Sequence, residues 1–327
     1  MTDSTKPRRL CVFLLQLGGP ERLEDVELFL RNLFEDVLPL PNWAKRKLGA
    51  FIARRRAPKV VPFYREIGGG SPIRANTQAQ AAALQAQLQA RDFDARVLVA
   101  MRYTPPRASE VLAEARLHWS DAAWVALPLY PQYSFATTRS SLEELYGQLT
   151  TPEQERLLTV NAYPMDGGYL DAVAACVRGT LESVPGAMKA ATHIVFSAHG
   201  LPMRLVERGD PYPTQVQQSV DGVVERLGLL NPVHLAYQSR VGPVQWLSPS
   251  TIETVERLGQ QGVRSIVVVP ITFVSEHLET LHELDIQLRD IARRAGIMDF
   301  RRVPTPGARP QFITALADIV TRTLPRD

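Results

Sequence analysis

Cysteine is scarce in this sequence, with two among 327 residues, Cys11 and Cys176. They lie far apart and outside any C-x-x-C pattern. That excludes a disulfide scaffold, a thiolate zinc site and a cysteine-ligated iron–sulfur cluster built by this chain alone. Long apolar runs are missing as well. The polar, basic stretch 1–9 is followed by an apolar run of only eight residues, broken by Gln16, Gly18, Gly19 and Pro20. Such a run reads as a strand and not a signal peptide, and no stretch approaches the length that spans a bilayer, so the expected location is the cytoplasm. A large excess of one charge is absent too. The 37 Lys and Arg against 34 Asp and Glu leave +3, too little to argue for a nucleic-acid partner. No G-x-G-x-x-G fingerprint, Walker loop, H-E-x-x-H pair or serine nucleophile elbow is found, which removes the signatures of several common enzyme classes.

What is present is an alternation of buried strands and amphipathic helices. The composition, 45% hydrophobic and 22% charged, is ordinary for a globular protein, and the length suffices for two modest domains. An unbroken apolar run predicts a strand at 10–17, and further strands are read at 94–101, 122–130, 158–162, 193–196 and 299–303, with others ending near Tyr237 and Val269. Apolar spacing predicts helices at 23–33, 73–90, 111–117, 169–181 and 309–323. The second half repeats the first in outline: 124–134 and 266–276 share an apolar run, a proline, an apolar tail and a polar helix start. The expected fold is α/β, two similar Rossmann-like domains with parallel sheets flanked by helices and an active-site cleft between them. Domains are expected at 1–165 and 166–305, with 306–327 a C-terminal helix packing back on the body.

Three stretches carry chemistry. In Ile194-Val-Phe-Ser-Ala-His-Gly-Leu-Pro202 the small residues end a strand and place His199 just past it, where open α/β sheets bind ligands. The bland alternative is a histidine that only hydrogen-bonds its own loop. The second stretch runs from Phe273 to Asp285 and reads as a helix with Ser275 as N-cap. At about 100° per residue, Glu276, Glu279, Glu283 and Asp290 fall within roughly a quarter of its circumference. Like charges so placed repel, and are most easily tolerated where a cation relieves them or a proton is shared. A solvated acidic face is the alternative. The functional stripe is favoured because its first carboxylates directly follow a buried strand. One histidine with one or two carboxylates suits transient Fe²⁺ or Zn²⁺ better than a closed structural site. The third stretch, from Leu38 to Arg56, interleaves Trp43, Leu48, Phe51 and Ile52 with Lys45, Arg46, Lys47, Arg54, Arg55 and Arg56. It reads as an amphipathic helix that touches an anionic membrane or an apolar ligand, against a solvated basic face over a normal core stripe. The triglycine 68–70 before Ser71-Pro72 is either an anion cradle or a tight turn.

Taken together, these segments resemble ferrochelatase, the enzyme that inserts ferrous iron into a porphyrin. The matching stretches are Leu17-Gly-Gly-Pro20, Tyr64-Arg-Glu-Ile-Gly-Gly-Gly-Ser-Pro72, Met101-Arg-Tyr103, Tyr130-Pro-Gln-Tyr-Ser134 and Ser197-Ala-His-Gly-Leu-Pro202. They continue with Tyr237-Gln-Ser-Arg-Val-Gly-Pro243, Trp246-Leu247 and Phe273 to Asp285, in family order from about residue 10 to 325. The resemblance implies that His199 is the catalytic, metal-approaching histidine and Glu279 its partner carboxylate, with Glu276, His277 and Glu283 extending an acidic path. It implies that Leu17, Arg102, Tyr103, Tyr130 and Trp246 surround the macrocycle, and that Arg102, Ser134, Thr137 and Thr138 are candidates to pair the propionates.

Some members of that family carry an iron–sulfur cluster on cysteines near the C-terminus and just after the Tyr-Ser of the Pro-Gln-Tyr-Ser motif. Here that position is Phe135 and no cysteine follows Cys176, so no cluster and no tightly bound cofactor are expected, and Fe²⁺ enters as substrate. Glu276 stands where many members have aspartate. The lack of a mitochondrial-type leader points to a bacterial, cytoplasmic protein, peripheral to the inner face of the membrane if the segment from Leu40 to Arg56 touches lipid. The expected substrates are protoporphyrin IX and Fe²⁺, giving protohaem. The rivals are a coproporphyrin III ferrochelatase and a non-catalytic porphyrin or haem carrier. The acidic stripe speaks against a carrier, which has no need to deprotonate its ligand. A nucleotide-dependent oxidoreductase is disfavoured by the missing glycine fingerprint. Oligomeric state is not readable from the sequence.

Overall fold

The computed structural model describes residues 7–38, 40–228, 230–240, 242 and 244–325. Val241 and Pro243 of the Tyr237–Pro243 motif and the first six residues lie outside it. By their internal contacts the residues form two units, one of 1–129, 136–162 and 313–327, the other of 130–135 and 163–312. Along the chain the longest stretch of the second unit begins at 163, and the sequence-based boundary was drawn at 165/166. The six residues 130–135 and the C-terminal helix are grouped differently, because membership follows packing and not chain order.

The first unit carries strands β1 (Arg8–Gln16), β2 (Phe93–Met101), β3 (Ala123–Pro128) and β4 (Leu157–Thr159). Its helices are α1 (Val26–Val37), α2 (Asn42–Glu66), α3 (Ile73–Gln89), α4 (Ala108–His118), α5 (Ser140–Tyr146) and α6 (Thr151–Arg156). The second has α7 (Gly167–Glu182), α8 (Gly186–Lys189), β5 (His193–His199), α9 (Met203–Glu207) and α10 (Tyr212–Leu227). It continues with β6 (Val233–Gln238), α11 (Thr251–Gln260), β7 (Ser265–Pro270), a π-helix (Glu279–Leu288), α12 (Arg289–Arg294) and β8 (Asp299–Arg302). A last helix, α13 (Pro310–Thr323), returns the chain to the first unit.

Both sheets are parallel and share one strand order, β2-β1-β3-β4 and β6-β5-β7-β8. The repeat seen in the sequence is therefore a repeat of topology. Its two prolines are equivalent: Pro128 ends β3 opposite Leu15, and Pro270 ends β7 opposite Ser197. A proline has no N–H to continue the ladder, so it marks the strand end in both sheets. Strands β1 and β5 are central and buried almost throughout, which is why they read as continuous apolar runs. Around the first sheet, Cys11, Phe13, Leu112, Trp124 and Leu145 form a core, with Phe13 and Trp124 edge to face at 5.3 Å. Burial pushes the Cys11 thiol up to about 12, so it is inert. In the second sheet, Val195, Leu258, Ile266, Val268, Leu284 and Leu288 do the same.

Three local expectations are corrected. His199 is the last residue of β5, paired with Gln238, and not a loop residue. The segment after Arg56 remains helical through Pro58 and Pro62 to Glu66, so α2 is longer than the amphipathic stretch 38–56. The acidic helix does not begin at Ser275: residues 275–277 are irregular, and the helix starts at Leu278 and runs on as a π-helix. Among the described residues no helix is long and apolar enough to cross a membrane.

Candidate active site

In a parallel sheet, functional loops gather at the C-terminal strand ends. In the second unit those ends are His199, Gln238, Pro270 and Arg302. His199 donates its backbone N–H to Thr272 Oγ1 at 3.1 Å, and its carbonyl accepts from Tyr212 Oη at 2.9 Å. Its ring meets the edge of Phe273, centroids 6.2 Å apart, and Phe273 packs on His277 at 4.5 Å. Burial, aided by His277 and opposed by Glu279, lowers the proton affinity of His199, so the imidazole is neutral at pH 7. Gly200 follows because nothing larger fits: a Cβ there would stand 2.6 Å from the Gln238 carbonyl and 3.3 Å from the Trp246 ring. Trp246 is thereby placed beside the histidine loop, held by a bridge to Pro202.

The carboxylates divide into two groups. Glu279 opens the π-helix, its carboxylate 3.5 Å from His277 Nε2. One turn on, Glu283 accepts hydrogen bonds from Gln238 Nε2, at 3.1 Å, and from Ser239 Oγ. Burial, reinforced by repulsion from Glu279, pushes the Glu283 carboxyl up to about 7. Glu283 thus holds a proton near neutral pH. Glu276 belongs elsewhere, which corrects its place in the acidic path. Its Oε1 accepts from Arg302 Nη1 and the Thr305 N–H, both at 2.9 Å, and from Thr305 Oγ1 at 3.1 Å. Burial works against its charge, but Arg302 with the Thr280 and Thr305 hydrogen bonds outweighs it and holds the carboxyl below its usual range. Asp290 is exposed on α12. The expected stripe of four therefore reduces to Glu279 and Glu283.

Sequence reasoning missed the groups that hold this pair. Gln238 is buried, accepts from Ser197 Oγ at 2.8 Å, and donates to the Glu279 carbonyl at 2.9 Å as well as to Glu283. Ser239 adopts φ +65°, a left-handed conformation uncommon outside glycine, while its hydroxyl bonds Glu283. The available signal was position alone, the end of a strand. Among the described residues no three His, Cys, Asp or Glu side chains are grouped to hold a metal ion.

The remaining candidates have mixed fates. Tyr130 and Ser134 belong to the second unit; Leu17, Arg102, Tyr103, Thr137 and Thr138 belong to the first. Arg102 is committed: it pairs with Asp36 at 2.7 Å and Glu144 at 3.1 Å and donates to Ser140 Oγ at 2.9 Å. Its fork is thus engaged by two carboxylates and a hydroxyl. Tyr103 is buried, with its hydroxyl on Asp36 at 2.7 Å. Ser134 is buried too and gives its proton to Asp210 at 2.9 Å, so it has none for a propionate. Thr137 is half-buried, and Thr138 Oγ1 is buried without a partner. Leu17 is held by its backbone, the carbonyl accepting from Tyr103 N–H at 2.9 Å.

Comparison with known proteins now places the molecule. The fold is that of the chelatases: it aligns with SirB from Bacillus subtilis, solved with Fe³⁺, at a TM-score of 0.56 and 12% identity, covering 97% of this chain and 95% of that one. A sequence model of the ferrochelatase family matches residues 9–324. Curated ferrochelatases from Nostoc sp. (strain PCC 7120) and Trichodesmium erythraeum are 46% and 42% identical, each over 97% of this chain and 82% and 83% of their own lengths. The chain belongs to the ferrochelatase family. It is a metal-inserting enzyme that places iron in a porphyrin in haem biosynthesis.

Proposed function

We propose that the enzyme inserts Fe²⁺ into protoporphyrin IX, with His199 as proton acceptor and metal ligand and Glu279 as metal ligand or proton relay. The supporting observation is a neutral imidazole in the same unit as a carboxyl, Glu283, that keeps its proton up to about pH 7. Insertion exchanges two pyrrole N–H protons for one divalent metal, so the site must accept protons without holding them. A neutral imidazole can take such a proton, and a carboxyl poised near neutrality can pass one on. Glu283, steadied by Gln238 and Ser239, stands behind Glu279 as the next acceptor, and His277 lies against Glu279. Trp246 and Tyr130, both of the second unit, are proposed to offer apolar faces to the macrocycle.

A peripheral contact with anionic lipid accompanies this reading. Helix α2 exposes Trp43, Leu48 and Phe51 next to Arg46, Lys47, Arg54 and Arg55. An apolar porphyrin delivered from a membrane suits such a surface, which favours protoporphyrin over the more polar coproporphyrin.

Anaerobic absorbance of the protein with protoporphyrin and Fe²⁺, and with Zn²⁺ as second metal, tests the assignment. Metalloporphyrin bands should grow catalytically, and His199→Ala and Glu279→Gln should each lower kcat by about a thousandfold while porphyrin still binds. Full turnover by His199→Ala would sink the assignment. Faster turnover of coproporphyrin would reverse the substrate, and binding without turnover would indicate a carrier.

A further inference from the structure

The ring of a histidine that accepts a proton or approaches a metal cannot be tied down through the nitrogen that does so. Among the described residues, the hydrogen bonds of His199 run through its peptide and not its ring. Its N–H can only donate and its C=O can only accept, which sets the direction of every bond around it. The N–H donates to Thr272 Oγ1, and Tyr212 Oη donates to the C=O. Two hydroxyls, carried by two other elements, thus clamp the His199 residue on its N–H and on its carbonyl.

The clamp is anchored on two further elements. Thr272 lies two residues after β7 and precedes Phe273, whose ring meets the imidazole edge to face. Tyr212 is buried at the start of α10, and its backbone N–H donates to Asp210 Oδ1 at 3.1 Å. The other oxygen of Asp210 accepts from Ser134 Oγ and the Phe135 N–H, at 2.9 and 2.7 Å. The peptide of His199 is thus fixed by β7, by α10 and, through Asp210, by the segment 134–135, while the ring nitrogens stay open.

We propose that Tyr212 and Thr272 are positioning residues for metal insertion, fixing the His199 peptide so that its unencumbered ring is held in the reactive direction. This rests on His199 being the proton acceptor. The clamp acts on geometry, so its loss should reduce kcat and leave porphyrin binding intact, because small misplacements of a reacting group are costly.

The test is steady-state Zn²⁺ insertion into protoporphyrin, with thermal melting of each variant. Tyr212→Phe and Thr272→Val should each lower kcat by about tenfold or more, with the porphyrin KM within about twofold of wild type. Thr272→Ser, which restores the hydroxyl, should recover most of the rate. Wild-type kcat in both single variants overturns the clamp. So does a rate loss that tracks the melting temperature and is not recovered by Thr272→Ser. His199→Ala in the same assay separates the two levels: if it turns over normally, the assignment of His199 fails. If it is inactive while Tyr212→Phe and Thr272→Val are unimpaired, only the clamp fails. Should Tyr212→Phe not fold, the near-isosteric Thr272 series decides alone.

Discussion

Glu283 shows how a single side chain carries both the chemistry and its cost. Its carboxyl is raised from 4.5 to about 7 by burial, with Glu279 adding to the effect. In the unfolded chain the same group ionises near 4.5. Between those values the unfolded state has lost a proton that the folded state keeps, so this group makes folding less favourable as pH rises from about 4.5 to 7, and level above that. Glu283→Gln keeps an acceptor for Gln238 and Ser239 but cannot ionise. Its melting temperature should therefore match wild type near pH 5 and exceed it at pH 8, which thermal unfolding at the two values measures. A gap that is constant with pH would refute the raised carboxyl. The sequence offered Glu279 and Glu283 as a spaced pair, but it could not offer Gln238 and Ser239, whose role depends on β6 ending beside the π-helix. It misplaced Glu276 for the same reason. Arg302 and Thr305, which pair with and hydrogen-bond that carboxylate, are 26 and 29 residues away in the chain and adjacent only in the fold.

At the scale of elements, the central strands were legible because they are buried and apolar, and the π-helix was not. A 100° wheel assumes i→i+4 hydrogen bonding, whereas residues 279–288 follow the wider i→i+5 pattern, so faces drawn from the α-helical period drift. Of the two readings for the triglycine before α3, close packing favours the turn. A Cβ on Gly70 would lie 1.9 Å from the Glu21 carbonyl oxygen and 2.5 Å from its carbon, and the turn is closed by Ser71 N–H on the Pro20 carbonyl at 2.7 Å. Both contacts are backbone, so neither side can yield cheaply. Gly70→Ala should cost about 3 kcal/mol of stability in denaturant unfolding, as overpacking of a rigid contact does. Gly186→Ala is the control: nothing lies within 4 Å of its Cβ, and its loss should be no more than a few tenths. Equal effects of the two substitutions would show that the turn relaxes around an added methyl.

For the whole molecule, the repeat of one strand order in two units was readable from apolar runs and their terminal prolines, while the assignment of 130–135 and 313–327 to units depends on packing that no local pattern encodes. Charge, too, is informative only when its distribution is known. The chain as a whole carries +3, yet α2 alone holds eight Lys and Arg against one Glu, so the remainder is net acidic. Diffuse attraction to an anionic surface is therefore weak, and any membrane contact must be made locally by α2. There the Trp43 side of the helix is open, with that residue 72% and Phe51 57% exposed, and the Arg55 guanidinium sits over the Phe51 ring. Such a surface combines burial of aromatics at the lipid interface with attraction of basic side chains to anionic headgroups. Sedimentation with vesicles should show binding to phosphatidylserine-containing bilayers, loss of most of it in 0.5 M salt, and little binding to neutral phosphatidylcholine. Replacing both Trp43 and Phe51 by Ala should weaken the binding by about tenfold or more, from the apolar area withdrawn. The same variant should keep its kcat on porphyrin supplied in detergent, since neither residue belongs to the second unit, where His199, Glu279 and Glu283 lie. Unchanged vesicle binding by that variant, or binding indifferent to lipid charge, would remove α2 from the membrane and leave it a solvated basic face.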